Sequence, residues 1–581
     1  MLPAALQAAE TELTAPGASD DLLARLKSSS SVISAQVSGL EGAQELLAAA
    51  LSDYKTLVQV LYDSGYFGPD ISIRIDGREA ANISLVEPPR KIDRIDIKVT
   101  PGTAFRFGTA RVAPLPADAE LPEGFAPGEP ASTGTIRAAA VAGRDAWRER
   151  GHAKAEIGDQ NITANHRQAQ INADIRLLPG PELRFGKLDV TGESAVRAAS
   201  IQRIAALPSG ETYSPEEARR AGARLRRTGT FSSVSIVEAE TPNPDGTLDF
   251  TAEVADLPPR RISFGAEIAS NDGVTLSAAW MHRNLFGNAE RFRIEGEIRN
   301  IGGSEDIDGR LAFRLDNPAR LGGDNNLFYY GSLERFDREH YTMNQAALGV
   351  GVRRVSSDQL FGEAAVQVST SKVSDAYGTD RRFDLLSFPL RGQYDGRDSE
   401  QNPTTGYFVD LNITPFVGFA DSSSGVSMLV DGRAYRSLTA SGSFVLAGRL
   451  QIGSVVGAPA SEVSPDLLFF SGGSGTVRGQ SYESLGIPVG NDVAGGRSMI
   501  VANAEVRTRV TDAISLVGFF DYGMVDESSF VTSAARSHSG AGLGVRYDLG
   551  GFGPLRLDLA LPVSGPEDNG LQFYIGIGQA F

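Results

Sequence analysis

Residues 291–299 read RFRIEGEIR, which sets Phe292, Ile294 and Ile298 on one side of an extended chain and Arg293, Glu295, Glu297 and Arg299 on the other. Successive side chains of a strand point to opposite faces, so this alternation describes a wall with two different environments. It returns with Leu311, Phe313 and Leu315 opposing Arg310, Arg314 and Asp316. It returns again with Leu555, Leu557, Leu559 and Leu561 opposing Arg556 and Asp558. Lipid outside and a watery lumen inside satisfy both faces at once. Residues 258–581 span 324 positions; about 16 alternating segments fit there at about 20 residues each, enough for spanning strands of about 9–11 residues. A soluble β-sandwich would have to turn arginine-rich faces to solvent on every strand and still cover the leucines. The pattern therefore predicts a 16-stranded antiparallel transmembrane β-barrel over 258–581.

Composition narrows the function classes. The chain carries 72 acidic and 55 basic residues, net −17, so a general attraction to phosphate backbones is absent and no nucleic-acid partner is expected. With no cysteine, disulfide scaffolds, thiolate metal sites and cysteine nucleophiles are excluded. Mean hydropathy is −0.15, and no run of about 18 apolar residues occurs, which excludes a helical membrane protein. Glycine, at 65 of 581 residues, exceeds the ordinary share of about 7% and favours turn-rich β structure. The opening MLPAALQAAE lacks a basic n-region and a full apolar h-region, so no intact signal peptide is expected in it.

The N-terminal part repeats itself. PGTAFRFG at 101–108 returns as PGPELRFG at 179–186, and Gly151 in WRERGHAKAEI returns as Gly229 in LRRTGTFSSVSI, both 78 residues on. A third copy has Gly65 in VLYDSGYFGPDISIRI. In the clearest unit, LRFGKLDVTG reads as a strand and VRAASIQRIAAL as a helix, while Ser214-Pro215-Glu216-Glu217 opens a second helix as a capping box. Two strands follow across Asn243-Pro244-Asp245-Gly246. The expected domains are three βααββ units, at 18–101, 102–182 and 183–257, before the barrel. The first is expected to lack its leading strand.

Catalysis is not expected. The five histidines have no H-E-x-x-H spacing, and GGSG at 472–475 lacks the Lys-[Ser/Thr] of a phosphate loop; no metal or other cofactor is implied. Two features stand out instead. The segment of about 452–496 is far longer than a turn, falls between the eleventh and twelfth strands, and contains VRGQ at 477–480. GFFDYGMVD at 518–526 puts Asp521 in an aromatic strand, where an unpaired carboxylate is costly; pairing with Arg478 in the lumen would answer both. The last strand, LQFYIGIGQAF, places Leu571, Phe573, Ile575, Ile577 and Phe581 on one face and Gly576 and Gly578 on the other. These glycines either soften the closing seam or make room for lumen residues.

Together these residues resemble the BamA-type outer-membrane assembly superfamily, also called the bacterial surface antigen family, with POTRA repeats. Within it the resemblance is to the TamA (translocation and assembly module) group. The matching motifs are SPDLLFFSGGSGTVRGQ, GPLRLDLALPV and GLQFYIGIGQAF, with YDGRDSEQNPTTGYF around Asp398, Pro403 and Gly406. The resemblance implies that Val477, Arg478 and Gly479 form the sixth-loop motif. It also implies that Asp521, flanked by Phe520 and Gly523, is the lumen partner of Arg478, and that Phe573, Ile575, Gly576, Gly578 and Phe581 belong to the C-terminal seam strand. Gln480 departs from the family, where an aromatic is usual.

The resemblance further implies an outer-membrane protein with periplasmic repeats that assembles other outer-membrane barrels and autotransporters. Clients would enter at a seam between the first strand, near Ile262–Ser270, and the last. Its partners would be an inner-membrane-anchored TamB-like protein, unfolded clients and outer-membrane lipid. A two-partner secretion transporter is the alternative, and a passive porin would leave the repeats and the long loop without a role.

Overall fold

The computed structural model describes residues 9–40, 42–269, 273–302, 307–550, 553–565, 570–577, 579 and 581. The chain forms two compact units. One contains the first two repeats with Pro208–Arg219 and Glu238–Phe250; the other contains the barrel with Leu188–Leu207 and Arg220–Val237.

The first repeat is not missing its leading strand. Glu10–Thr14 runs parallel beside Arg94–Thr100, which pairs on its other edge with Asp70–Ile75. ETELT commits only Leu13 to the core, so five residues of alternation carry little signal and the pairing partner makes the strand. Helices Asp20–Ser29, Ser31–Val37 and Ala43–Asp63 cover this sheet through Leu26, Leu47, Leu57 and Leu61. Asp53, fully buried, accepts from Ser30 Oγ at 2.6 Å and from the N–H groups of Ser31 and Val32. It thereby caps the middle helix from the long one.

The second repeat departs from the two-helix pattern. Among the described residues, only Thr133–Glu149 is helical between the strands Arg106–Ala113 and Glu156–Asn165. Prolines at 114, 116, 122, 127 and 130 occupy the place of a first helix, and each would remove a helical hydrogen bond. The third repeat has both helices, Ala198–Ala205 and Pro215–Arg227, with the strand Thr247–Asp256 between Arg184–Thr191 and Phe231–Glu238.

Two of the recurring glycines share one job. Gly65 and Gly151 end their helices at φ +89° and +90°, and their carbonyls accept from Phe105 N (2.8 Å) and Leu183 N (2.9 Å), where the next repeat begins. A left-handed residue turns the chain and offers its carbonyl forward.

The barrel is closed and antiparallel. It comprises seventeen strand segments, but Gly378–Ser387 and Leu390–Asp395 lie between the same two neighbours. They are one strand broken at Phe388-Pro389, which makes sixteen. The expected faces hold: Leu311, Leu333, Leu348 and Leu543 are exposed outward, whereas Arg314 reaches Glu363 (2.9 Å) and Arg391 reaches Asp410 (2.5 Å) on the lumen side. Strands three to nine surround a lumen cavity of about 560 Å³ lined by Arg293, Glu295, Arg310, Tyr330, Glu363 and Gln367 among others. Residues 457–497, which join the eleventh strand, Phe444–Val456, to the twelfth, Ser498–Arg509, fold into the lumen and lie against its wall. Within this loop Ile487–Val489 and Asp492–Ala494 form a small hairpin.

Candidate functional site: the lumen plug and the seam

The long loop is bonded to walls on both sides of the lumen. On the fifth and sixth strands, Arg338 donates to Tyr482 Oη (2.8 Å) and Gln345 to Asp466 Oδ2 (3.1 Å). On the eleventh and twelfth, Arg449 donates to Gly475 O (2.8 Å) and Asn503 to Thr476 O (2.6 Å). An apolar cluster of Val463, Leu468, Phe469, Val477 and Leu485 packs it onto Val455, Met499, Val501 and Val525. Such a loop is a built part of the core rather than a mobile connection.

Its centre is Arg478, 2% exposed. Nε and Nη2 donate to the two oxygens of Asp521 at 2.7 and 3.0 Å, and Nη1 donates to Glu505 (2.7 Å) and Asp558 (3.2 Å). Arg507 holds the other oxygen of Glu505 at 2.8 Å, and Arg546 holds Asp558 at 2.5 Å. With Arg556 Nε 3.9 Å from Asp558, four guanidinium groups among the described residues face these three carboxylates, and burial strengthens each pairing while making any single loss expensive. Beneath Arg478 the ring of Phe519 lies 3.6 Å from the guanidinium carbon, a cation–π contact.

The structure brings together Val477, Arg478, Gly479, Asp521 and Gly523. A Cβ on Gly523 would lie 2.4 Å from Ser471 Oγ and 2.9 Å from Val477, so the wall is hollowed for the loop. It does not include Phe520, which is 46% exposed on the outer face. Counting alternately from the inward Asp521 puts Phe519, not Phe520, in the lumen. Glu505 and Asp558 were missed; both lie inward on alternating strands, the available signal. Asp398, Pro403 and Gly406 are elsewhere: Asp398 accepts from Thr404 N (2.9 Å) and Thr405 N (3.2 Å) in the turn before the ninth strand.

Gln480, in the family's aromatic position, is 1% exposed, and its amide donates to Ser539 O (2.8 Å) and Ser564 O (3.0 Å). The fourteenth and fifteenth strands slip register between Ser539 and Gly540, and Gln480 satisfies carbonyls at that irregularity. Gly479 sits at φ +90°, where a Cβ would come within 2.6 Å of Leu561 O.

Among the described residues the seam is sparsely paired. The first and second strands share ten registered pairs, whereas the first strand, Arg260–Ala269, meets the last, Gln572–Ile577, at Ala269–Tyr574 alone among the described residues. Ser270, Gly578 and the side chain of Ala269 lie outside the described residues. Phe573 faces outward, with Ile575 on the same side by alternation; Gly576 leaves space beneath Arg556, whose Nη2 would be 3.3 Å from an added Cβ. Phe581 does not share the outer face. It is 6% exposed, packs on Tyr435 and Ala447, and its carbonyl oxygen accepts from Arg507 at 3.4 Å. The described part of the strand runs to Ile577, and Phe581 turns inward onto the tenth and eleventh strands.

The Omp85 superfamily domain matches residues 284–581, just over half of the chain. The chain belongs to the Omp85 superfamily. A surface antigen variable number repeat of the POTRA type matches 183–255. Curated relatives include outer envelope protein 80, chloroplastic, from Arabidopsis thaliana, 25% identical over 65% of this chain and 53% of that protein. The rice protein of the same name is 24% identical over 67% of this chain and 61% of that protein. This chain therefore spans between half and two thirds of these relatives. The crystal structure of BamA from Haemophilus ducreyi lacking POTRA domains 1–3 is similar in fold, with TM-score 0.64 and 16% identity over 81% of this chain and all of that one. CdiB from Acinetobacter baumannii gives 0.51 and 12% over 82% and 91%. This Omp85 protein is thus an outer-membrane β-barrel whose N-terminal repeats are periplasmic.

Proposed function

We propose that this Omp85 protein inserts and folds β-barrel outer-membrane proteins and autotransporters at the seam between its first and last strands. The observation that carries the reading is a lumen plugged by a bonded loop beside a seam held, among the described residues, by one registered pair. A plugged lumen is a poor solute path, while a sparsely paired edge offers N–H and C=O groups on which a client strand can template. No covalent step or cofactor enters this reading; folding of the client supplies the free energy. The TamA resemblance extends it to an inner-membrane-anchored TamB-like partner acting with the periplasmic repeats.

The 560 Å³ lumen cavity favours one second reading, a two-partner secretion transporter that exports a dedicated client past a displaced loop. Liposomes containing the full chain separate the two. Added unfolded barrel client is expected to become protease-protected faster than in empty liposomes, and more slowly with Arg478→Ala. No acceleration across several clients would overturn the assembly reading.

A further inference from the structure

We propose that Tyr574 couples the seam to the plug, so that parting of the last strand withdraws the support on which the loop motif rests. One residue carries both contacts. The main chain of Tyr574 forms the registered pair with Ala269 across the seam, and its hydroxyl accepts from Gly479 N at 3.1 Å. Its buried ring packs with Val517, Phe519 and Ala560, and Phe519 is the ring beneath Arg478. Tyr574 therefore touches the backbone of the motif and its aromatic floor together.

The other anchors of residues 478–480 are on the twelfth to fifteenth strands, at Glu505, Asp521, Ser539, Asp558 and Ser564. The twelfth to fourteenth strands keep both neighbours when the last strand leaves, and the fifteenth keeps its ten-pair ladder with the fourteenth. Among the described residues, only the Tyr574 contact belongs to the strand that would leave. Gly479 has no room to follow it, because a Cβ at this residue would already sit 2.6 Å from Leu561 O and 3.2 Å from Pro562 N. Departure of the strand thus strands a buried N–H, an unfavourable state that loosening of the loop relieves. The coupling is reciprocal by linkage: a loosened loop lowers the cost of parting the seam.

The inference rests on reading the seam as a moving part, and its test needs no client, so its failure is separable from failure of the assembly activity. Hydrogen exchange of the full chain in lipid nanodiscs is followed at residues 477–480 and 572–577. Tyr574→Phe, which keeps the ring, is expected to speed exchange at 477–480 about fivefold, the order of one hydrogen bond. Asp521→Asn, which frees the loop from the other side, is expected to speed exchange at 572–577. Tyr330→Phe, which removes a hydroxyl bonded to Gln367 at 2.8 Å on the opposite wall, is expected to change neither. Unchanged exchange at 477–480 in Tyr574→Phe, or an equal change in Tyr330→Phe, overturns the proposal. If Tyr574→Phe yields no folded barrel, Asp521→Asn decides: loop release with 572–577 still protected overturns it.

Discussion

Arg478 holds Asp521 three ways: through Nε, through Nη2 and through its own main-chain N–H at 3.1 Å from Oδ2. Side chain and backbone of one loop residue thus converge on a single fully buried carboxylate. Glu505 and Asp558 share the remaining guanidinium nitrogen, so the arginine neutralises more than one wall strand.

Removing it leaves buried anions behind. Arg478→Ala is expected to cost about 3–5 kcal/mol, read as a lower midpoint in denaturant or heat unfolding of the purified barrel. An unchanged midpoint would mean that water reaches the three carboxylates. Asp521→Ala is expected to cost less, since Glu505 and Asp558 still face the guanidinium.

Gln480 acts as a donor. Gln480→Glu replaces its amide with a carboxylate aimed at the carbonyls of Ser539 and Ser564, which should cost about 1–3 kcal/mol or more. The same unfolding measurement checks it. Equal midpoints for Gln480→Glu and the parent chain would rule out the two-carbonyl clasp.

Gly540→Ala tests the tightness of the seat without touching charge. An added Cβ would lie 1.9 Å from Arg478 O, backbone against backbone, so the loop has to lift. Faster proteolysis within 457–497 is expected, with the barrel strands still protected.

Acid should loosen the third repeat. Hydrogen bonds from Arg224, at 2.8 and 3.0 Å, and from Arg227 hold the Asp324 carboxyl below its ordinary range. A depressed folded value means the contribution is complete above the unfolded value of about 3.9 and is lost as pH falls through the folded one. Amide protection of 224–229 should therefore fall on acidification below about pH 4, and Asp324→Asn should flatten that fall. A parallel fall in Asp324→Asn would assign the acid response to other groups.

The barrel was legible because two-residue alternation reports the wall directly: Phe292 beside Arg293 states both environments. Asp521 was legible for the opposite reason, as a carboxylate among aromatics. Asp558 was not, because an inward acid on an alternating strand looks the same whether it meets water, as in much of a lumen, or a loop arginine. Phe519 and Phe520 differ only in parity, and motif resemblance favoured the wrong neighbour. The strand Glu10–Thr14 escaped notice since its partner, Arg94–Thr100, lies some eighty residues away, and nothing local marks a parallel pairing of that reach.

The contacts that seat residues 478–480 also set an order of events. Glu505, Asp521, Ser539, Asp558, Ser564 and Tyr574 all follow the motif in the chain. The motif therefore has no complete seat until the last five strands stand side by side. Whatever pairs first, locking residues 478–480 in the lumen draws on the C-terminal end of the wall as one unit.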